Sequence, residues 1–336
     1  MSFYQTSELR GKGNEIVKAA NDATDREIRD YKTSHTADGP HGSTYTPVRF
    51  TNPDTGATMS EDEFRSWLQG QFSQIPDIVV NHGNPDPKNF DGIIKDLEQV
   101  EGSFGGGKGA TKNPDLDLAD TAKGELGDNW QGVFAENLTD NMLSPFPVIN
   151  ENHGKVAHML AESMRGTKNI YNGKRADLSG LIDNTIKALN DCGNKHGSHV
   201  PLALSVTAAL TGVVAAVLAV PTAGGSLAVY GATVGLTVLG AGAVITNASL
   251  ADAKTNVGGK TVNEVIDSFF QRLGDCSDAV SKEEQKMVSA LNKNHTALVS
   301  MQQLAKDGRV ASPLAPMRPK IDDAKNPTSG LEPKAD

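Results

Sequence analysis

The sequence predicts an all-α fold: an elongated helical hairpin or bundle with a W-x-G turn, a central apolar Gly/Ala-rich helical hairpin and a disordered C-terminal tail. Three observations predict it. Apolar residues recur at helical spacing along most of the chain from Phe90 to Leu304. The stretch Pro201–Leu250 carries no charged residue, with Lys195 the nearest charge before it and Asp252 the nearest after it. Aromatic residues are only 5% of the chain, against 34 glycines and 16 prolines, which suits long helices and loose connectors better than a sheet-based enzyme.

Five stretches are expected. Residues 1–87 hold N-terminal helices and an extended connector. Residues 88–192 form a helical hairpin, 200–250 the apolar hairpin, 261–306 one long amphipathic helix and 307–336 the tail. Asn14–Tyr31 is charged and helix-prone, with Ile16, Val17, Ala20, Ala23 and Ile28 near a 3.6-residue period. Thr33–Thr58 is rich in Gly, Pro, Ser, Thr and Asn and reads as a connector with a turn ending at Gly56. Ser60 with Glu63 is a capping box, and Phe64, Trp67, Leu68 and Phe72 follow on one helix face. Asn84-Pro-Asp-Pro87 stops that helix.

In Lys88–Phe104, residues Phe90, Ile93, Ile94, Leu97, Val100 and Phe104 make an amphipathic stripe. Gly105–Leu126 reads as a flexible loop. A second helical arm begins after Trp130-Gln-Gly132 with Val133, Phe134, Leu138 and Met142. Pro145-Phe-Pro147 must kink or restart it, because proline lacks a donor and clashes with the preceding turn. Helical spacing then runs from Ile149 to Leu189, and again over Thr261–Leu304 after a break at Asn256-Val-Gly-Gly259. Five prolines after Gly308, without periodic apolar residues, predict disorder.

The apolar block is cut by Pro221-Thr-Ala-Gly-Gly-Ser226 into arms Leu202–Val220 and Leu227–Asn247. Each arm is about the 20 residues that a helix needs to cross a bilayer core. Gly231-x-x-x-Gly235 on one arm and Gly212-x-x-x-Ala216 on the other would let two helices approach closely. Lys187, Lys195, Lys254 and Lys260 flank both ends, placing them on one side of a membrane. The competing reading is a hairpin sheltered by the long amphipathic helices.

The net charge of −9 and pI near 5.4 argue against a nucleic-acid partner. Met1–Gly13 has no apolar h-region, so export by the general secretory route is not expected. Cys192 and Cys276 are too few for a disulfide framework or zinc site; they flank the apolar block and could be joined or be two free thiols. Gly102–Lys108 looks like the start of a phosphate loop, but Gly109 stands where Ser or Thr is needed and a helix precedes it instead of a strand. Asp115, Asp117 and Asp120 lack the register of a calcium loop and read as solvated. His153 with His158, and His196 with His199, lack a third metal ligand; they suggest titration near the flank at most. No catalytic signature occurs, so the chain reads as a non-enzyme with no cofactor, no metal and no small-molecule substrate.

Trp130-Gln-Gly132 sits between amphipathic helices. Glycine allows the backbone of a tight turn, and the indole would cover the end of the helix pair. Trp130, Gly132, Phe134, Pro145-Phe-Pro147 and the two apolar arms together resemble the WXG-type substrates of the actinobacterial type VII (ESX) secretion system. The chain is most similar to the larger Esp-type secretion-associated proteins, from Lys88 to Asp336. That resemblance implies a secreted or cell-surface protein, cytoplasmic before export, with a small WXG-type helical partner or self-association. It departs from the pattern in its export signal: Tyr4 has Glu8 four residues on but lies at the wrong end, and Tyr171 is followed by Arg175.

The function expected is therefore a non-catalytic secreted protein acting at or in a membrane through residues 201–250. The alternatives are a soluble scaffold that docks a small helical partner through Phe90, Ile94, Leu97 and Trp130, and a pore-forming toxin.

Overall fold

A computed structural model of the chain describes residues 3–35, 50–52, 55–105, 114–192, 198–202, 212–219, 233–240, 255–306, 312–316 and 332–333. The described residues are mostly helical, as the apolar periodicity requires. They divide into two compact units. The first takes Met1–Pro87, Asn169–Ala209 and Val244–Glu283; the second takes Lys88–Lys168, Leu210–Ala243 and Glu284–Asp336.

The first unit is built on α1 (Thr6–His35), which extends the predicted helix at both ends. Its buried residues Leu9, Ile16, Ala20, Ala23 and Ile28 trace the expected stripe. A short ribbon of β1 (Phe50–Thr51) and β2 (Thr58–Met59) closes over a turn at Gly56, whose φ of 70° suits glycine. The capping box is present: Glu63 N donates to Ser60 Oγ at 3.3 Å and Ser60 N donates to Glu63 Oε2 at 2.7 Å. It opens α2 (Glu61–Phe72), which buries Phe64, Leu68 and Phe72. The rings of Phe50 and Phe64 stack 4.7 Å apart, with Tyr31 and Trp67 beyond them. α3 (Ile75–His82) lies against α1 so closely that a Cβ on Gly13 would come within 2.5 Å of Pro76 Cα.

Two long helices complete this unit: α7 (Phe146–Asp191), from Asn169 on, and α8 (Val262–Lys306), up to Glu283. They contribute Leu178, Leu181, Ile182, Leu189, Val262, Val265, Ile266, Phe269 and Leu273 to one core with α1, α2 and α3. Full burial of each large apolar side chain contributes about 1.5–3 kcal/mol. Neighbouring residues of α1 cap both long helices. Arg26 Nη2 donates to Leu189 O at 2.7 Å, near the C-terminus of α7, and Val262 N donates to Glu27 Oε2 at 3.1 Å, at the N-terminus of α8. β4 (Ser198–Leu202) pairs antiparallel with β7 (Thr255–Gly259) where the sequence suggested only a break.

Arg175 is the most unusual core residue, its side chain 1% exposed. Its Nε donates to Gly83 O at 2.6 Å, Nη1 to Tyr4 O at 3.2 Å and Nη2 to Thr6 Oγ1 at 2.8 Å. Thr6 Oγ1 donates onward to Asp86, whose carboxylate lies 3.8 Å from Nη2. Burial lowers the Arg175 pKa, and Asp86 works in the other direction. Arg175→Met should destabilise the first unit by about 3–5 kcal/mol, because it strands two backbone carbonyls and removes the charge partner of Asp86. Urea unfolding followed by circular dichroism measures this; a loss below about 1 kcal/mol would show that the guanidinium is dispensable.

The second unit holds α4 (Phe90–Ser103), α5 (Pro114–Asn129), β3 (Trp130–Gln131) and α6 (Val133–Leu138). A π-helical turn (Thr139–Leu143) follows α6 and α7 restarts at Phe146, as the prolines require. Pro147 sits in the first turn of α7, where a missing N–H costs nothing. Residues 114–126, expected in a loop, are helical instead: Leu116, Leu118, Ala119 and Ala122 with few glycines are good helix formers that the preceding Gly-rich run obscured.

The apolar arms also differ from expectation. Gly212–Ala219 is strand β5 and Thr233–Gly240 is strand β6, paired antiparallel with Gly212 opposite Gly240 and Ala219 opposite Thr233. A short apolar run does not distinguish a helix from a strand by periodicity. The β-branched Val213, Val214, Val217, Thr233, Val234, Thr237 and Val238 favour the pleated form. Gly212, Ala216 and Gly235 therefore lie on paired strands and not on facing helices, while Pro221 and Gly231 fall outside the described residues. Among the described residues no helix is long and apolar enough to cross a membrane. The tail is not wholly without structure either: residues 312–316 are described, and β8 (Glu332–Pro333) pairs with β3.

Candidate protein-contact site at the Trp130 corner

The W-x-G tripeptide forms a corner. α5 runs directly into β3, and Gly132 then turns the chain into α6 with φ of 103°, a value that side chains other than glycine adopt only with strain. The helix before the turn is thus α5, with α4 one element further back. Trp130 does not bury itself over a helix end. It is 40% exposed, and its backbone pairs with Pro333. Leu118, Val133 and Met142 are exposed on the same run of elements. At Trp130 lies an open cavity of about 290 Å³, lined also by Leu126, Gln131, Ala135, Glu136 and Thr139 among others. Phe134 is half-buried.

The other residues expected to join this face behave differently. On α4, Ile94 is buried and Phe90 and Leu97 are half-buried, while Ile93 and Val100 are exposed. Ion pairs Arg165–Glu98 and Lys168–Asp91 tie α4 to α7. α5, α6, β3 and the π-helical turn pack on one another. The corner therefore draws on α5 and α6, while the apolar stripe of α4 is split, with Ile94 inside and Ile93 and Val100 exposed.

The remaining candidates resolve one by one. Asp117 and Asp120 stand exposed on α5. Ser103 ends α4, and residues 106–113 lie outside the described residues. His158 Nδ1 lies 3.2 Å from Glu101 Oε1, and His153 contacts Leu314 O at 2.8 Å. His196 falls outside the described residues. Among the described residues no group of three His, Cys, Asp or Glu could hold a metal ion.

Cys192 and Cys276 are free and buried, so the pairing considered from the sequence is absent. Burial pushes the Cys192 thiol up to about 11 and the Cys276 thiol up to about 12. Thiolate, the reactive form, is then scarce at neutral pH. Both thiols should resist a thiol-specific reagent in the folded chain at pH 7.5 and react fully in denaturant. Fast labelling of either in the native protein would contradict this burial.

His82, at the end of α3, carries the feature that sequence reasoning missed. Burial, with Lys174 nearby, pulls its pKa down to about 4. Ser277 Oγ is 3.5 Å from His82 Nδ1. A base held so far below neutrality takes a serine proton poorly. Its consequence is for stability. The folded state keeps His82 neutral, whereas the unfolded chain protonates it near the ordinary value of 6.5. The contribution is fully present above pH 6.5 and is lost as pH falls toward 4, amounting to about 2–3 kcal/mol. His82→Gln should flatten the stability profile across that window, measured by urea midpoints at pH 7 and 4.5; an unchanged slope would refute the assignment.

Fold and site define a mostly helical protein with a solvent-facing aromatic corner. No protein-family profile, curated protein or solved structure matches the chain.

Proposed function

We propose that this is a non-catalytic helical protein of type VII secretion type, exported to the cell surface or medium, that acts at or in a membrane through residues 201–250. The observation that carries the reading is the absence of any charged residue from Pro201 to Leu250 in a chain that is otherwise polar and net acidic. The order of helix, W-x-G corner, helix and apolar block supports it.

The ribbon of β5 and β6 shapes how such contact would work. Each strand has eight residues, or about 26 Å at the usual rise. Among the described residues the sheet has two strands, so both outer edges keep unpaired N–H and C=O groups. Each such group costs several kcal/mol in hydrocarbon. A lone ribbon therefore suits the membrane surface, and crossing the bilayer would take several copies closing a barrel.

The second reading is a soluble docking module for a small helical partner, favoured by the exposure of Trp130, Leu118, Val133 and Met142. Flotation with anionic vesicles at neutral and acidic pH separates the two. The first reading expects the full chain to float and a variant lacking Leu202–Asn247 to stay dense. A full chain that stays dense at both pH values overturns it. Dye leakage from the same vesicles would mark a pore former. Co-purification of a small helical protein that is lost on Trp130→Ala would favour the docking module.

A further inference from the structure

The tail segment Ser312–Pro316, within the second unit, is held in place by side chains of α7. Asn152, which has no solvent exposure, donates from Nδ2 to Pro313 O at 2.8 Å. His153 Nε2 lies 2.8 Å from Leu314 O, so it donates there. The Leu314 side chain packs on a small cluster of Met159 and Met287, with Val156, Leu291, Leu298 and Met301 around it. The receiving side is itself fixed. The Phe104 ring meets the His153 ring edge-on at 5.1 Å, and Phe104 O accepts from Asn150 Nδ2 at 2.8 Å. The segment is preshaped as well, since Ser312 Oγ accepts from Leu314 N at 3.3 Å and from Ala315 N at 3.1 Å.

We propose that α7 and α8 form a groove for an extended, proline-flanked leucine peptide, and that Ser312–Pro316 is its in-chain occupant, which a second such peptide can replace. The groove reads carbonyls. Proline has no N–H to offer, so a site that donates to C=O groups accepts Pro313 where a β-edge would reject it. Prolines on both sides of Leu314 reduce the entropy lost on binding. Methionines adapt to the anchor side chain. Only Pro313 of the occupant is buried: Ser312 and Leu314 are half-buried, and Ala315 and Pro316 are exposed. Segments with few buried contacts open at the low end of the stability range. The short tether from Lys306, the last residue of α8, gives the occupant an effective concentration on the order of millimolar, which keeps weak outside peptides away until the segment is displaced. This groove stands independently of the membrane reading.

The test uses the full chain and a fluorescent Ser-Pro-Leu-Ala-Pro peptide, read by anisotropy. Leu314→Asp should empty the groove and bind the peptide at least about tenfold more tightly than the unmutated chain does. Adding Asn152→Ala to that variant should weaken binding about threefold to tenfold. A peptide with Asp in place of leucine should not bind. Equal binding by the two chains, or binding by neither, overturns the proposal. A second measurement needs no released tail: Asn152→Ala alone should speed amide exchange at Leu314 and Ala315 several-fold, and unchanged exchange there also overturns it.

Discussion

A single buried cation sets the frame of the first unit. Arg175 projects from α7 beside the buried Leu178 and Ser179, and it ends on backbone carbonyls near the N-terminus and at the end of α3. A guanidinium cannot shed its proton to escape burial. It therefore demands acceptors, and the chain supplies Gly83 O, Tyr4 O, Thr6 Oγ1 and the Asp86 carboxylate. The need is mutual, because those carbonyls have left their helices or precede them. The same logic recurs at Arg26 and Glu27, where adjacent charges on α1 satisfy the last carbonyls of α7 and a first N–H of α8. Core packing decides which elements meet in this unit, and these directional contacts decide their register.

Much of this frame was legible in the residues. Stripes such as Ile16–Ala20–Ala23 and Val262–Val265–Ile266–Phe269 name their buried faces, because one helix face must leave water and the period records which. Ser60 with Glu63 names a helix start because both orphan N–H groups find partners locally. What stayed hidden depends on distant partners. Arg175 reads in sequence as a charge after Tyr171, and nothing local announces that Gly83 and Tyr4 will meet it. His82 next to Gly83 looks like an ordinary helix end, yet Lys174 and Ser277 reach it from far along the chain. Trp130 was legible as a turn residue, since Gly132 needs its unusual φ, but its exposure was not.

The apolar block shows where pattern reading stops for a physical reason. A residue string without charge reports only that water is unwelcome. It does not say whether backbone N–H groups will bond within one segment or across to another. Helix closes those bonds locally, and small residues at four-residue spacing fit that outcome. A strand needs a partner of matching length, and β5 and β6 supply each other with eight paired positions. Valine and threonine then tip the balance, because their branched Cβ is crowded in a helix and at ease on a pleat. The alternation of apolar and polar faces that marks an amphipathic helix has no counterpart in a segment that is apolar nearly throughout.

The two outcomes make different demands on a membrane. A helical hairpin satisfies its own backbone and can enter hydrocarbon as a single copy. A two-stranded ribbon carries its unsatisfied groups on its edges, where they attract any strand of compatible length. An uncharged ribbon also lacks the edge lysines with which soluble proteins discourage such pairing. Under the proposed function, the ribbon's chemistry thus favours association before, or together with, lipid contact. Copy number then becomes part of the mechanism: a single chain at a bilayer would leave those edges in the polar interface, where water and headgroups satisfy them, and only a closed ring of ribbons would move them into the hydrocarbon.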